Sequence, residues 1–314
     1  MSIIRLLRIS GALGLSLLCV ACVPAARVPS KETPIGSTQR AAPAVTTRAA
    51  VQIIGVANAA AGIATTAIPT DTPITPTMTA VPACSEPHGR LSVSNLTSAA
   101  LSRRMAYSIY LPPCYDADRA RVYPVLYLLP GLNSDHTQWP DLDIPQDEDA
   151  LIAQHSVAPF VVVMPDGGYG KGDDYAAFVV QDLIPHVEQT ARVSRLRADR
   201  TIGGVSRGGY WALLIALTHP DLFAAVGGHS AAIYAPLDDL VEQFGQAAAR
   251  NTLRFYLDVG SADSLAETIK PFAASLAAQG FDSVFHLYSG GRERAYWRMH
   301  ASEYLLFYAA DWQR

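Results

Sequence analysis

A serine set among glycines, Gly204-Val205-Ser206-Arg207-Gly208-Gly209, is the part of this 314-residue chain best suited to covalent chemistry. A serine hydroxyl attacks a carbonyl efficiently when a sharp turn presents it and the flanking residues let backbone come close, which the G-x-S-x-G spacing allows. The segment 201–204 predicts a short strand and 207–218 a helix, so Ser206 falls at a strand-to-helix elbow. The helix N-terminus there favours developing negative charge. Acyl transfer also needs two backbone N–H donors aimed at the oxyanion. Arg207, next to the serine, offers one. Leu132, in the run Leu128-Leu129-Pro130-Gly131-Leu132 after an earlier predicted strand, offers the other. A triad acid should follow a later strand, in the order serine, acid, histidine. In Leu257-Asp258-Val259-Gly260-Ser261-Ala262-Asp263-Ser264, Asp263 falls in the loop and is the stronger candidate, although it also suits a helix N-cap. Asp258 lies inside the predicted strand.

The elements that must position these groups alternate. Strands are predicted over 104–111, 122–129, 160–164, 201–204, 223–228, 253–259 and 283–288. Helices are predicted over 150–155, 175–193, 207–218, 237–249, 265–278 and 295–309. Strands separated by helix-length segments imply an α/β domain with a mostly parallel central sheet and helices on both faces. Sites in such sheets lie beyond the carboxyl ends of the strands.

The remainder of the chain bounds the setting. No Phe, Trp or Tyr precedes Tyr107, so the packed core belongs to the last two-thirds. Residues 1–22 read as an export signal, with Arg5 and Arg8 ahead of a short apolar run and Val20-Ala21-Cys22 as a cleavage site. It resembles a bacterial lipobox, which implies lipidation of Cys22 and an extracytoplasmic, membrane-anchored location; an ordinary signal peptide of a secreted protein is the alternative. Residues 23–83, rich in Ala, Thr and Pro, read as a disordered linker, and 84–314 as the folded domain. In an oxidising compartment Cys84 and Cys114 are expected to form a disulfide. No Cys/His cluster suggests a metal site. With 24 basic against 28 acidic side chains, nothing suggests a nucleic-acid surface. The acidic group Asp141, Asp143, Asp147, Glu148 and Asp149 reads as a solvated loop and helix start.

Longer stretches carry a family resemblance. Tyr107-Ser108-Ile109-Tyr110-Leu111-Pro112-Pro113-Cys114-Tyr115, then Tyr123-Pro124-Val125-Leu126-Tyr127-Leu128-Leu129-Pro130-Gly131, resemble the putative esterase family. The likeness continues through Val163-Met164-Pro165-Asp166-Gly167-Gly168, Asp182-Leu183-Ile184-Pro185-His186-Val187 and the Ser206 motif, to Tyr296-Trp297-Arg298. It implies an α/β-hydrolase fold, a Ser206 nucleophile, Asp263 as triad acid, an ester substrate (a small molecule or part of the cell surface) and no cofactor.

One departure bears on activity. The family's histidine usually follows a Gly-Gly pair before the last helix, and here Gly290-Gly291 is followed by Arg292. A guanidinium stays protonated and has no acceptor, so it cannot take the serine proton. His229, after the strand beyond the nucleophile helix, and His300, in the last helix, are the candidates for a recruited base. His136 is placed to face substrate; His88, His155, His186, His219 and His286 read as surface or packing residues. The function implied is a serine carboxylesterase with an altered base. The alternatives are a catalytically impaired pseudo-esterase that binds an anion through Arg292, or an acyltransferase.

Overall fold

The computed structural model describes residues 84–167, 172–233, 239, 241–242 and 253–312. The signal, Cys22, the linker and most of the helix expected over 237–249 lie outside the described residues.

Eight strands form one sheet: β1 (Arg90–Ser98), β2 (Arg103–Leu111), β3 (Val125–Leu129), β4 (Val161–Pro165), β5 (Arg200–Val205), β6 (Ala225–His229), β7 (Arg254–Gly260) and β8 (Asp282–Tyr288). Their order is β1-β2-β4-β3-β5-β6-β7-β8. β1 and β4 pair antiparallel with β2, and every pair from β4 through β3 to β8 is parallel. The helices are α1 (Ile144–Ala153), α2 (Gly172–Ala177), α3 (Ile184–Thr190), α4 (Arg207–Thr218), α5 (Ala266–Ala278), α6 (Arg294–Met299) and α7 (Ala301–Ala309).

β3 shows why both faces need cover. All five of its residues are buried. Side chains alternate between faces, so Val125, Tyr127 and Leu129 join the core built with α3, α4 and α5. Leu126 and Leu128 join a second core with α1, α6 and α7. This is the mostly parallel sheet, helix-covered on both faces, that the sequence implies.

The structure departs from the expected elements in four places. β1 is an unforeseen edge strand; its alternating Leu91 and Val93 are 45% and 59% exposed, so no core face marks it in the sequence. α1 starts at Ile144, where Pro145 suits the first turn, well before the expected 150. The helix expected over 175–193 contains a π-helical stretch, Phe178–Leu183. There Asp182 Oδ2 accepts from Ser98 Oγ at 2.6 Å and from the Ala100 N–H at 3.1 Å, holding the β1–β2 turn. The last helix breaks at His300, between α6 and α7.

Cys84 and Cys114 are joined by a disulfide 30 residues apart in sequence, closing the open end of the β1–β2 hairpin. Closing a loop of this length stabilises by about 3–4 kcal/mol in the chain-entropy account. The Cys84→Ser, Cys114→Ser variant should therefore melt about 10 °C lower in calorimetry. Identical melting with and without the bridge would show that it stabilises nothing.

The acidic group is not simply solvated. Glu148 is 0% exposed, and neither carboxylate oxygen has a side-chain partner among the described residues. Asp149 accepts from the Tyr110 hydroxyl and the Gly89 N–H. Burial pushes Glu148 well above the usual carboxylate range, against an opposing hydrogen bond from the Phe160 backbone and with a lesser push from the negative charge of Asp149. A raised native pKa means stability present below the unfolded value, about 4.3, and lost as pH rises through the native value. Glu148→Gln should therefore melt above the parent at pH 8, with the gap closing towards pH 4.5. A gap that is constant with pH would contradict this.

Candidate active site

Ser206 stands between β5 and α4 with φ 59° and ψ −116°, a conformation costing a non-glycine residue about 1–3 kcal/mol. Three backbone bonds hold it there. Its N–H donates to the His229 carbonyl at 2.8 Å, and its carbonyl accepts from Tyr210 and Ala232 N–H groups at 3.1 and 2.9 Å. The glycines allow the elbow to close. A Cβ on Gly204 would lie 2.3 Å from the Gly208 backbone, and one on Gly208 would lie 2.3 Å from the Leu129 carbonyl. These contacts bring the ends of β3 and β5 together at the start of α4.

The turn after β3 lies against the serine: a Cβ on Gly131 would be 3.7 Å from Ser206 Cβ. The Gly131 N–H is already donated to Gln138 Oε1 at 2.7 Å, and Pro130 has none. Among the described residues the Leu132 N–H makes no backbone or side-chain bond. The Arg207 N–H, first in α4, has no acceptor within the helix. Arg207 follows Ser206 directly in the chain, and Leu132 lines the same cavity as Ser206. A cavity of about 420 Å³ opens above them, lined by Leu132, Gln138, Asp141, Ser206, Arg292, Arg294 and Trp297 among others.

Arg292 lies in the cavity wall and reaches the serine. Its guanidinium donates to Ser206 Oγ. The segment before it abuts the loop that carries Asp263, with the Ala262 N–H donating to the Gly290 carbonyl at 2.8 Å. Asp263 is 4% exposed. Its Oδ1 accepts from the Leu265 N–H at 2.9 Å, as a turn-capping group does, while its buried Oδ2 has no hydrogen-bond partner among the described residues. Arg292 thus meets Ser206, and Asp263 lies in a loop bonded to the segment that precedes Arg292.

Neither candidate base reaches this site. His229 is 0% exposed. Its Nδ1 donates to Asp258 Oδ1 at 2.7 Å, and Nε2 faces the Tyr308 hydroxyl at 2.9 Å, so both ring nitrogens are taken. His229 sits at the strand end as expected, but its ring packs among Tyr304, Tyr308 and Trp139, away from the cavity; only its carbonyl serves Ser206. His300 stacks on Tyr288 and faces Glu303 through Nδ1 at 3.3 Å. The break in the last helix makes it a cap between α6 and α7. His136 is bonded through Nδ1 to Asp166 at 2.6 Å. No histidine is among the described residues lining the cavity.

Beneath the site lies a network that motif reading missed. Asp258 Oδ2 accepts from the Tyr296 and Tyr304 hydroxyls at 2.8 and 2.9 Å, in addition to His229 on Oδ1. Burial first, and then the Asp258 charge, push the phenols of Tyr296, Tyr304 and Tyr308 up, keeping them protonated donors. The Tyr308 hydroxyl therefore donates to His229 Nε2. The signal was available: Tyr296, His300, Tyr304 and Tyr308 recur every four residues, which puts them on one side of a helical segment. Trp297 in turn donates through Nε1 to Ser230 Oγ at 3.2 Å, fixing the cavity wall.

The profile of the putative esterase family matches residues 98–307, about two-thirds of the sequence. The chain belongs to that family. Relatives of this esterase-family chain include an endo-1,4-beta-xylanase/feruloyl esterase from Xylanibacter ruminicola, 28% identical over 163 residues, covering 48% of this chain and 22% of that protein. Esterase Rv1288 from Mycobacterium tuberculosis is 27% identical over 152 residues, covering 45% of this chain and 32% of that protein. The match thus spans less than a third of either relative. A solved ferulic acid esterase superposes with a TM-score of 0.67 at 23% identity, covering 71% of this chain and 98% of that one, and supports the α/β-hydrolase fold.

Proposed function

We propose that this esterase-family domain is a serine-type carboxylic ester hydrolase with an impaired turnover step. The observation that carries the reading is the Arg292 guanidinium on Ser206 Oγ. Ser206 Oγ bonds to the ester carbonyl carbon, its proton passes to solvent water, and the alkoxide or phenolate leaves. The Leu132 and Arg207 N–H groups carry the oxyanion. Arg292 stabilises negative charge at Oγ but accepts no proton. Deacylation then lacks a base to activate water, so the acyl-enzyme accumulates.

4-Nitrophenyl acetate should give about one nitrophenolate per chain in a burst, then only slow release. Mass spectrometry should find an acetyl group on Ser206, absent from Ser206→Ala. The slow phase should rise steadily with pH, without the inflection near pH 6.5 that a histidine base imposes. A parent protein that is never acylated would defeat the proposal. The relatives' names make a hydroxycinnamate ester the natural type of substrate to try next.

A second reading rests on the same contact. Arg292, anchored at Ser206 with Arg294 in the same cavity, suits a carboxylate ligand held without turnover. It predicts benzoate binding that weakens at least tenfold in Arg292→Ala. For the whole protein we further propose a lipid anchor at Cys22 and an extracytoplasmic location, which the Cys84–Cys114 bridge supports as a mark of an oxidising compartment.

A further inference from the structure

A second cleft adjoins the candidate active site. It encloses about 320 Å³ and is lined by Arg103, Arg104 and Met105 from the start of β2 and by Asp166 and Gly167 after β4. Its remaining wall is Asn133, Ser134 and Asp135, which also line the cavity over Ser206. One three-residue turn therefore forms a wall of both spaces.

The charges in this cleft are unevenly satisfied. Arg103 and Arg104 are exposed and make no ion pair among the described residues. The acids beside them are engaged locally. Asp166 Oδ1 takes the His136 N–H at 3.1 Å and His136 Nδ1 at 2.6 Å, and Oδ2 takes the Ala106 N–H at 3.3 Å. Asp135 Oδ1 takes the Thr137 N–H and hydroxyl at 2.8 and 2.7 Å, which holds its carboxyl below the usual range. Positive charge extends towards the nucleophile as well. The Tyr175 phenol, raised mainly by burial, feels the opposing charges of Arg207 and Arg103, and its hydroxyl donates to the Asp166 carbonyl at 3.0 Å. This cluster stands on a chain whose formal charge is −4.

We propose that the Arg103–Arg104 cleft is an anion subsite that holds a carboxylate or phosphate group borne by the ligand whose ester reaches Ser206. Two guanidinium forks without acid partners are suited to the oxygens of either anion, and the shared wall connects the charge to the ester. The link to an ester rests on the proposed Ser206 chemistry; the subsite itself does not.

The test is calorimetric titration of the full chain with inorganic phosphate and, separately, with acetate, repeated on the Arg103→Gln, Arg104→Gln double variant and on Arg292→Ala. The anion bound more tightly by the parent identifies the group. Its affinity should fall at least tenfold in the double variant, with the melting temperature retained. Equal binding by parent and double variant would overturn the subsite, as would no binding of either anion to the parent at millimolar concentration. Loss of all binding in Arg292→Ala alone would also overturn it, by placing the anion over Ser206. Failure of Ser206 to acylate, with binding still dependent on Arg103 and Arg104, would remove the ester chemistry and leave the subsite standing.

Discussion

Arg292→His should raise steady-state hydrolysis of 4-nitrophenyl acetate by about a hundredfold or more over the parent. Removing the histidine of a complete triad costs about a million-fold in turnover, so the position has a large range to recover. The surroundings needed by an imidazole are present. Asp263 Oδ2 is buried and unpartnered, ready to accept from a ring N–H, and Ser206 Oγ is the atom the residue 292 side chain already reaches. The gain should come mainly in the slow phase, because the histidine would activate water for deacylation as well as take the serine proton. The pH profile should acquire an inflection near 6.5. A folded Arg292→His protein no faster than the parent would mean that the segment after Gly291 cannot aim an imidazole at both partners.

The second large effect concerns stability. His229→Phe keeps a ring of similar size in the core but removes one of three side-chain donors to Asp258 and, among the described residues, the acceptor of the Tyr308 hydroxyl. All of these groups are buried, so the carboxylate cannot recover its lost bond from water. Breaking a buried pair by removing one partner costs about 3–5 kcal/mol, or roughly 10 °C in melting temperature for a domain of this size. The neighbourhood leaves no slack: a Cβ on Gly203 or Gly227 would lie 1.7 or 1.9 Å from the Tyr308 hydroxyl oxygen. Calorimetry of the variant decides the matter, and a loss below about 1 kcal/mol would show that the network contributes little beyond packing.

The sequence made the central sheet legible because its buried strands are short apolar runs with helix-length spacers. It concealed β1, whose apolar residues face outward, and the π-helical stretch, whose role is to aim Asp182 at a turn. The sequence pointed to Ser206 because the elbow's demands are local, and to Arg292 because it follows Gly290-Gly291, and the two side chains meet in the structure. Where His229 points was not legible. Its strand-end position suggested the cavity, but the side of the sheet its ring takes is set by Asp258 on the neighbouring strand and by tyrosines far along the chain. The same holds for Glu148, an acid within a polar-looking run that helix packing turns into the core.

The Cys84–Cys114 bridge has a mechanical consequence. β1 is bound to the sheet through nine register pairs with β2 alone, and tension on its free end would otherwise open those pairs one at a time, like a zip. The covalent link sends tension arriving at Cys84 directly to Cys114, at the far end of the same hairpin. The load bypasses the hydrogen bonds of the edge strand and enters the domain at the segment following β2. Pulled from its N-terminal side, the domain should give way only at forces that disturb β2 in the sheet, and reduction should lower that threshold to the peeling force of β1.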